Sequence, residues 1–128
     1  MLRCYAVRDW FFINVNLQGA QLSELCLENI DFSYAKLNLA NLSGTNLSKA
    51  NLMAAQMQSA NLSCCNLSKS QLVRANLSGA NLFDASLKGA DLSYADLSNV
   101  CLTGADLRGT NLAKVDLRKT SLNGAIFG

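Results

Sequence analysis

A large apolar residue recurs at every fifth position of this 128-residue chain. From Leu17 to Phe127 the spacing never slips, which gives 23 consecutive centres, and all but three of them are leucine. On an α-helix a period of five would place successive leucines about 140° apart, so they would not share one face. The repeat therefore excludes an amphipathic helix as the basis of the fold.

The other four positions of the repeat are also restricted. Relative to the central residue i, position i−2 is alanine in 13 of 23 repeats, position i−1 is Asn or Asp in 14, and position i+2 holds seven of the eight glycines. In extended backbone, i−2 and i point to one side and i−1 to the other. Positions i+1 and i+2 are left to turn the chain. A turn every five residues winds the chain into coils that bury their apolar sides only by stacking, which predicts a parallel β-solenoid.

The turn type follows less directly from the residues. A type II turn requires positive φ at its third residue, which favours Gly or Asn. Position i+2 of this chain often carries a larger side chain, such as Lys49, Lys69 or Tyr94. We therefore expect type I turns at most corners, with type II turns at some of the glycines.

The repeat matches a known motif, Ala-(Asp/Asn)-Leu-x-x. Residues 40–44 read Ala-Asn-Leu-Ser-Gly, and residues 90–94 read Ala-Asp-Leu-Ser-Tyr. Over residues 13–128 the chain resembles the pentapeptide repeat protein family, and most closely its small cyanobacterial-type members of unassigned function. The resemblance implies an all-β fold, a right-handed quadrilateral parallel β-helix with four pentapeptides in each 20-residue coil. The chain then forms just under six coils.

The two ends of the solenoid differ in sequence. Residues 1–12 break the period, and we interpret them as an N-terminal cap in which Trp10, Phe11 and Phe12 cover the first coil of a β-helix spanning residues 13–128. The repeat continues to the C-terminus. We therefore expect a monomer, or weak end-to-end association through an open C-terminal coil.

Stacking every 20 residues aligns two sets of side chains that are candidates for binding. The first is a basic strip, which is either a binding site for an anionic partner or a solvated surface: Lys49, Lys69, Lys88 and Arg108. The second is an apolar patch on the next face, which we prefer as an interaction surface over ordinary surface variation: Tyr34, Met53, Val73 and Tyr94. Stacked asparagines such as Asn41 and Asn61 are expected to form hydrogen-bonded ladders along the rod.

The sequence lacks the residue that most often serves as a general base in enzymes. The chain has no histidine, and its five cysteines form an odd, unpatterned set that we interpret as reduced thiols. No nucleophile–base pair, phosphate-binding loop or cofactor motif is present. We therefore expect no catalytic, cofactor-binding or metal-binding residues and no enzymatic activity.

These observations predict a rigid, non-enzymatic rod that binds an unidentified protein or serves a structural role. The alternative is a DNA-mimicking inhibitor of gyrase or topoisomerase, which the resemblance associates with an acidic surface and a C-terminal dimerisation element. The net charge of +2 and the absence of such an element argue against it. Without a secretory signal or a long apolar segment, we expect a cytoplasmic protein with neither a nucleic-acid nor a membrane partner.

Overall fold

The computed structural model describes residues 10–128, which form a four-sided coil. Nineteen isolated parallel β-bridges join residues 20 positions apart, the first between Phe11 and Asp31 and the last between Asp106 and Ile126. Among the described residues there is no helix and no strand longer than a single bridging residue. The six stacked coils comprise residues 10–29, 30–49, 50–69, 70–89, 90–109 and 110–128.

Each coil has four faces, and each face is followed by a corner made of positions i+1 and i+2. Faces 1 to 4 are centred in the first coil on Phe12, Leu17, Leu22 and Leu27, and the centres repeat every 20 residues. Corners 1 to 4 take the number of the face that they follow. Side chains at equal positions of successive coils therefore form columns along the rod.

Backbone hydrogen bonds join each coil to the next in a regular pattern. At face 3, the Leu42 amide donates to the Asn61 carbonyl at 2.7 Å, and the Asn61 amide donates to the Ala40 carbonyl at 2.9 Å. At the following corner, the Gly44 amide donates to the Ser63 carbonyl at 2.9 Å. Because almost every pentapeptide of the inner coils repeats these bonds, the backbone polar groups between coils are satisfied.

The core consists of the side chains at i and i−2, as the period predicts. Leucines from Leu37 to Leu107 are almost completely buried, and the alanines at i−2 lie between them. Two buried hydroxyl groups donate hydrogen bonds to backbone carbonyl groups. Thr45 Oγ1 donates to the Leu22 carbonyl at 2.6 Å, and Ser70 Oγ donates to the Leu67 carbonyl at 2.7 Å. The predicted inward and outward positions are confirmed.

The prediction of mostly type I corners is wrong. Position i+2 has positive φ, between 53° and 73°, at fifteen non-glycine residues and at seven glycines, including Lys49 and Tyr94. Together with i to i+3 hydrogen bonds such as Ala55 N to Leu52 O at 3.1 Å, this defines type II turns. The reason is the bond to the next coil: the Lys49 amide donates to the Ser68 carbonyl at 2.9 Å. A type I turn would rotate that peptide by roughly half a turn and lose the bond.

Within the described corners, Lys119 is the one i+2 residue without positive φ. Its turn keeps the i to i+3 bond, from the Thr120 amide to the Leu117 carbonyl at 3.3 Å. This corner alone fits the type I prediction.

The Asn or Asp at i−1 shapes the turn that follows it. All fourteen of these residues accept a hydrogen bond at Oδ1 from the backbone amide of i+1, as Asn61 does from Ser63 at 3.1 Å. This Asx geometry fixes the entry into each corner. The expected asparagine ladders are largely replaced by it. One contact between coils of the expected kind is the bond from Asn41 Nδ2 to Gln21 Oε1 at 3.2 Å.

The aromatic residues before the first regular repeat already belong to the first coil. Phe11 bridges Asp31, and the Phe12 ring lies at face 1, with its centroid 6.1 Å from that of Phe32 and 6.3 Å from that of Trp10. An apolar cavity of about 250 Å³ lies beneath Trp10 and Phe12. Residues 1–9 of the predicted cap lie outside the described residues, so the capping role stays a prediction.

The Asx geometry leads to a test of position i−1. Replacing Asn61 with alanine removes acceptors for both the amide and the hydroxyl group of Ser63. We expect unfolding to become about 1 kcal/mol easier. Gln56→Ala is the matched control, because Gln56 also occupies i−1 and bridges two coils without an Asx bond. Urea denaturation measures both variants, and equal effects would contradict the assigned role.

Left-handed corners lead to a second test. Ala54 has a φ of 54°, where an L-residue is strained by about 1–2 kcal/mol and glycine is not. We expect Ala54→Gly to raise the free energy of unfolding by about 0.5–1 kcal/mol after the larger chain entropy of glycine is counted. Ala60→Gly is the control, since Ala60 is a buried i−2 residue without positive φ, and it should destabilise. A loss of stability in Ala54→Gly would show that its corner is not strained.

Candidate functional site

Corner 1 carries apolar and aromatic side chains where the other corners mostly carry polar ones. We use the name corner 1 surface for one column at i+1 and its neighbour at i+2. The i+1 column contributes Ile13, Met53 and Val73, and the i+2 column contributes Tyr34, Arg74 and Tyr94. The four residues that the sequence predicts as a patch therefore lie along one edge of the rod.

These side chains face solvent. Ile13 is 54% exposed, Tyr34 53%, Met53 38% and Tyr94 53%. They lie in coils 1, 2, 3 and 5, and the half-buried Val73 occupies the same corner in coil 4, so these apolar groups form a row along one edge of the rod. Tyrosine, methionine and arginine are enriched at protein interfaces, and this row has that composition.

One contact orders the C-terminal half of the corner 1 surface. The Arg74 guanidinium carbon lies 5.0 Å from the centre of the Tyr94 ring in the following coil. A cation over an aromatic face at this distance is attracted by about 0.5–1 kcal/mol at an exposed site. The contact restrains the ring, and Tyr94 remains 53% exposed.

Two members of the corner 1 surface were missed in the sequence. Ile13 occupies the same column as Met53, because the two residues are 40 positions, or two coils, apart. Extending the first coil back to Phe12 in the sequence would have placed Ile13 in this column. Arg74 is not among the residues that the sequence analysis selects. Its spacing of 20 from Tyr94 is the signal for their contact, because i+2 residues of successive coils are stacked.

The basic strip lies at corner 4 and is divided between two columns. Lys49 and Lys69 occupy i+2, and Lys88 and Arg108 occupy i+1. The Lys69 side chain extends over Gly89, because a Cβ atom on that glycine would lie 3.5 Å from Lys69 Cγ. A shallow depression of about 500 Å³ adjoins Lys69 and Lys88, and Asp84 also lines it.

An ion pair neutralises the C-terminal end of the basic strip. Arg108 binds Asp106 through two bonds, Nε to Oδ1 at 3.0 Å and Nη2 to Oδ2 at 2.7 Å. The guanidinium hydrogen bond lowers the pKa of Asp106 to about 2, and the charge of Lys88 contributes. The carboxylate therefore stays ionised at neutral pH and offsets the positive charge that the strip offers to an anionic partner.

The cysteines do not all behave as the sequence suggests. The expectation of reduced thiols is wrong for Cys26, which is disulfide-bonded, whereas Cys64, Cys65 and Cys101 are free. Cys65 lies in the core, where burial raises the pKa of its thiol to about 12. This thiol is therefore protonated and packs as a small apolar group. The preceding residue, Cys64, is exposed.

Residues 10–128 contain no cluster of three or more His, Cys, Asp or Glu side chains arranged to hold a metal ion. Within the same range, no helix has the length and apolar character needed to span a bilayer.

The chain is similar to solved structures with the same architecture. A pentapeptide repeat protein, Rfr23, from the cyanobacterium Cyanothece 51142 is 29% identical, with a TM-score of 0.61 over 94% of this chain and 88% of that one. QnrB1, a plasmid-mediated fluoroquinolone resistance protein, is 18% identical, with a TM-score of 0.51 over 92% of this chain and 82% of that one. HetL, from the cyanobacterium Nostoc sp. strain PCC 7120, is 23% identical, with a TM-score of 0.49 over 91% of this chain and 90% of that one.

Among curated protein sequences, none is significantly similar to this chain. The family model for pentapeptide repeats matches it with eight copies, in overlapping segments that together extend from residue 26 to residue 128. The fold of its structural neighbours is the right-handed quadrilateral β-helix, which agrees with the four faces and the 20-residue spacing of the bridges. The chain belongs to the pentapeptide repeat family.

Proposed function

We propose that this protein is a non-enzymatic interaction module that binds a protein partner through the corner 1 surface. The observation that carries the proposal is the row of apolar and aromatic side chains from Ile13 to Tyr94 along one edge of the rod, exposed in four of the first five coils and half-buried at Val73. Soluble proteins rarely expose a continuous apolar patch unless it serves an interaction. Pentapeptide repeat proteins generally act as structural or interaction modules, which is consistent with this role.

The charge of corner 1 narrows the chemistry of the partner. Both charged residues at its twelve described positions are basic, Arg74 and Lys114. A partner that fits offers apolar side chains to Met53 and Val73 and an acidic group near Arg74. The rigid backbone favours such binding, because little conformational entropy is lost when an ordered surface is covered.

Substitution of the two central apolar residues tests this proposal. Serine occupies the same column at positions 33 and 93, so Met53→Ser with Val73→Ser should leave the fold intact. A partner captured with the wild-type rod from an extract of its native host and identified by mass spectrometry supplies the ligand for calorimetric titration. We expect the double variant to bind it at least about tenfold more weakly, as for the loss of residues central to an interface.

A matched control removes exposed apolar groups elsewhere. Leu39 at corner 2 and Phe83 at corner 3 are exposed to a similar or larger extent. Leu39→Ser with Phe83→Ser should change the affinity less than about twofold. If the corner 1 variant binds as tightly as wild type while circular dichroism shows an intact fold, or if both double variants lose the same affinity, corner 1 is not the binding surface.

The DNA-mimicry alternative has an independent test. Mimicry of a DNA backbone requires a strongly negative surface, whereas this chain has a net charge of +2 and its Asp106 and Asp116 are paired with arginines. We therefore expect DNA supercoiling by purified gyrase to be unchanged at micromolar concentrations of the protein. An acidic member of the family that inhibits the enzyme is the positive control, and inhibition by this chain below micromolar concentration would revive the alternative.

A further inference from the structure

The hydrogen bonding between coils is interrupted at one place on face 2. Asp96 and Asp116, 20 residues apart, form no β-bridge. The same two coils are bridged on the adjoining faces, between Asp91 and Asn111 and between Cys101 and Ser121. Within residues 10–128, the amides of Leu97 and Asp116 have no acceptor, and the carbonyl groups of Ala95 and Asp116 have no donor. We call this interruption the open rung.

The same position one coil earlier shows what is missing. There the Leu77 amide donates to the Asp96 carbonyl at 2.9 Å, and the Asp96 amide donates to the Ala75 carbonyl at 3.0 Å. At the open rung the Asn99 amide instead reaches the Lys119 carbonyl at 2.8 Å, one residue beyond the regular acceptor. The last coil is therefore displaced in register at this corner.

The open rung coincides with the Lys119–Thr120 sequence. Thr120 Oγ1 donates to the Leu97 carbonyl at 3.0 Å, which ties the residue after the corner to the coil above. The other threonines at i−2 make the same kind of bond, but each follows a glycine in the left-handed region, Gly44 before Thr45 and Gly109 before Thr110. Lys119 does not adopt that conformation, and its corner is the irregular one.

A cavity of about 310 Å³ opens at the interrupted rung. It lies between corner 1 and corner 2 of the last two coils, and Tyr94, Lys114 and Lys119 stand at its borders. This volume is within the range of small-ligand sites. Its wall includes residues 95–98, among them Leu97, whose amide is unbonded.

The cavity is lined by two carboxylates, Asp96 and Asp116, and by two lysines, Lys114 and Lys119, so its one excess positive charge comes from the adjacent Arg118. The Asp116 carboxylate is occupied by Arg118, with Nη2 to Oδ2 at 2.6 Å, and the Asp96 carboxylate accepts from the amide and the hydroxyl group of Ser98. The ion pairs of residues 10–128 are those of Asp106 and Asp116 with arginines, so the ammonium groups of Lys114 and Lys119 have no ionic partner there. Two lysines without an ion pair and two unbonded amide donors therefore adjoin one cavity, together with two carboxylates that are already engaged by Arg118 and Ser98.

We propose that the open rung binds an oxyanion of the phosphate or carboxylate class, held by the two lysines and the two unbonded amides. Charge-assisted hydrogen bonds from ammonium groups and backbone amides are the strong contacts by which proteins hold such groups. Binding would also satisfy donors that the missing bridge leaves open. This site is separate from the protein-binding role of corner 1, although Tyr94 borders both.

Hydrogen exchange tests whether the rung is open. The amides of Leu77 and Asp96 serve as internal controls, because they occupy the same positions one coil earlier and are bonded. We expect the amides of Leu97 and Asp116 to exchange at least about a hundredfold faster than these controls in the ligand-free protein, since they lack the acceptor that protects them. Equal protection of the two pairs would overturn the proposal.

Titration with inorganic phosphate, followed by amide chemical shifts, tests the ligand. We expect saturable shifts centred on Leu97 and Asp116, and an affinity lowered about fivefold by Lys119→Gln, which removes the charge of the side chain. A parallel titration with acetate shows whether the site prefers a phosphate or a carboxylate group. The preferred anion is the one that saturates the site at the lower concentration. Absence of saturable shifts at these amides with both anions would overturn the proposal.

A repaired corner supplies the sharpest variant. Lys119→Gly restores the glycine that precedes the other i−2 threonines, so we expect it to close the rung, protect Leu97 and Asp116 from exchange and abolish the phosphate shifts. Lys49→Gly makes the same substitution at a regular corner and should leave both readouts unchanged. If Lys119→Gly gains the protection and still binds phosphate as wild type does, the open rung is not the site.

Discussion

The left-handed residue at each corner is the constraint on which the rest of the solenoid depends. Only with positive φ at i+2 does the corner peptide direct its amide toward the carbonyl of the next coil, as Lys49 does toward Ser68. An L-residue loses about 1–2 kcal/mol in this conformation. Fifteen non-glycine residues adopt it, with at least one in each of the six coils, so the strain recurs along the whole rod. The hydrogen bonds between coils and the burial of the shared core must therefore offset the conformational strain of these residues.

This constraint explains why the fold could be predicted from the sequence and the turns could not. The five-residue period determines which side chains are buried, and Leu62 and Ala60 lie in the core as it requires. The turn prediction rests on the intrinsic preference of residues such as Lys49 and Lys69. That preference is local, whereas the conformation is selected by hydrogen bonds to residues 19 or 20 positions away. Tertiary interactions outweigh local propensity here, because each corner amide would otherwise lose its partner.

The asparagines show a similar limit. Their recurrence at i−1 was visible, but an interpretation as ladders along the rod requires each amide group to face its neighbour in the next coil. The Oδ1 of Asn61 is instead engaged by Ser63 of its own turn. A short side chain meets the amide two residues ahead more readily than a group across the coil spacing, because its own backbone already places that amide within reach. The disulfide at Cys26 and the open rung had no comparable periodic signal, since each depends on a departure from the repeat.

Such departures are where a regular solenoid can acquire function. Positions i, i−2 and i−1 are committed to the core and to the turn, which leaves i+1 and i+2 to vary. At the corner 1 surface this freedom is used without disturbing the backbone, so Met53 and Val73 are exchangeable with serine at little structural cost. At Lys119 the departure reaches the backbone itself, because the residue gives up the left-handed conformation and the neighbouring coil loses its bonds at Leu97. An unsatisfied amide costs about 1–3 kcal/mol when buried, which favours either solvent or an anion as its partner. The two lysines beside it favour the anion, and a break in the repeat thereby becomes a binding site that a perfect repeat would not provide.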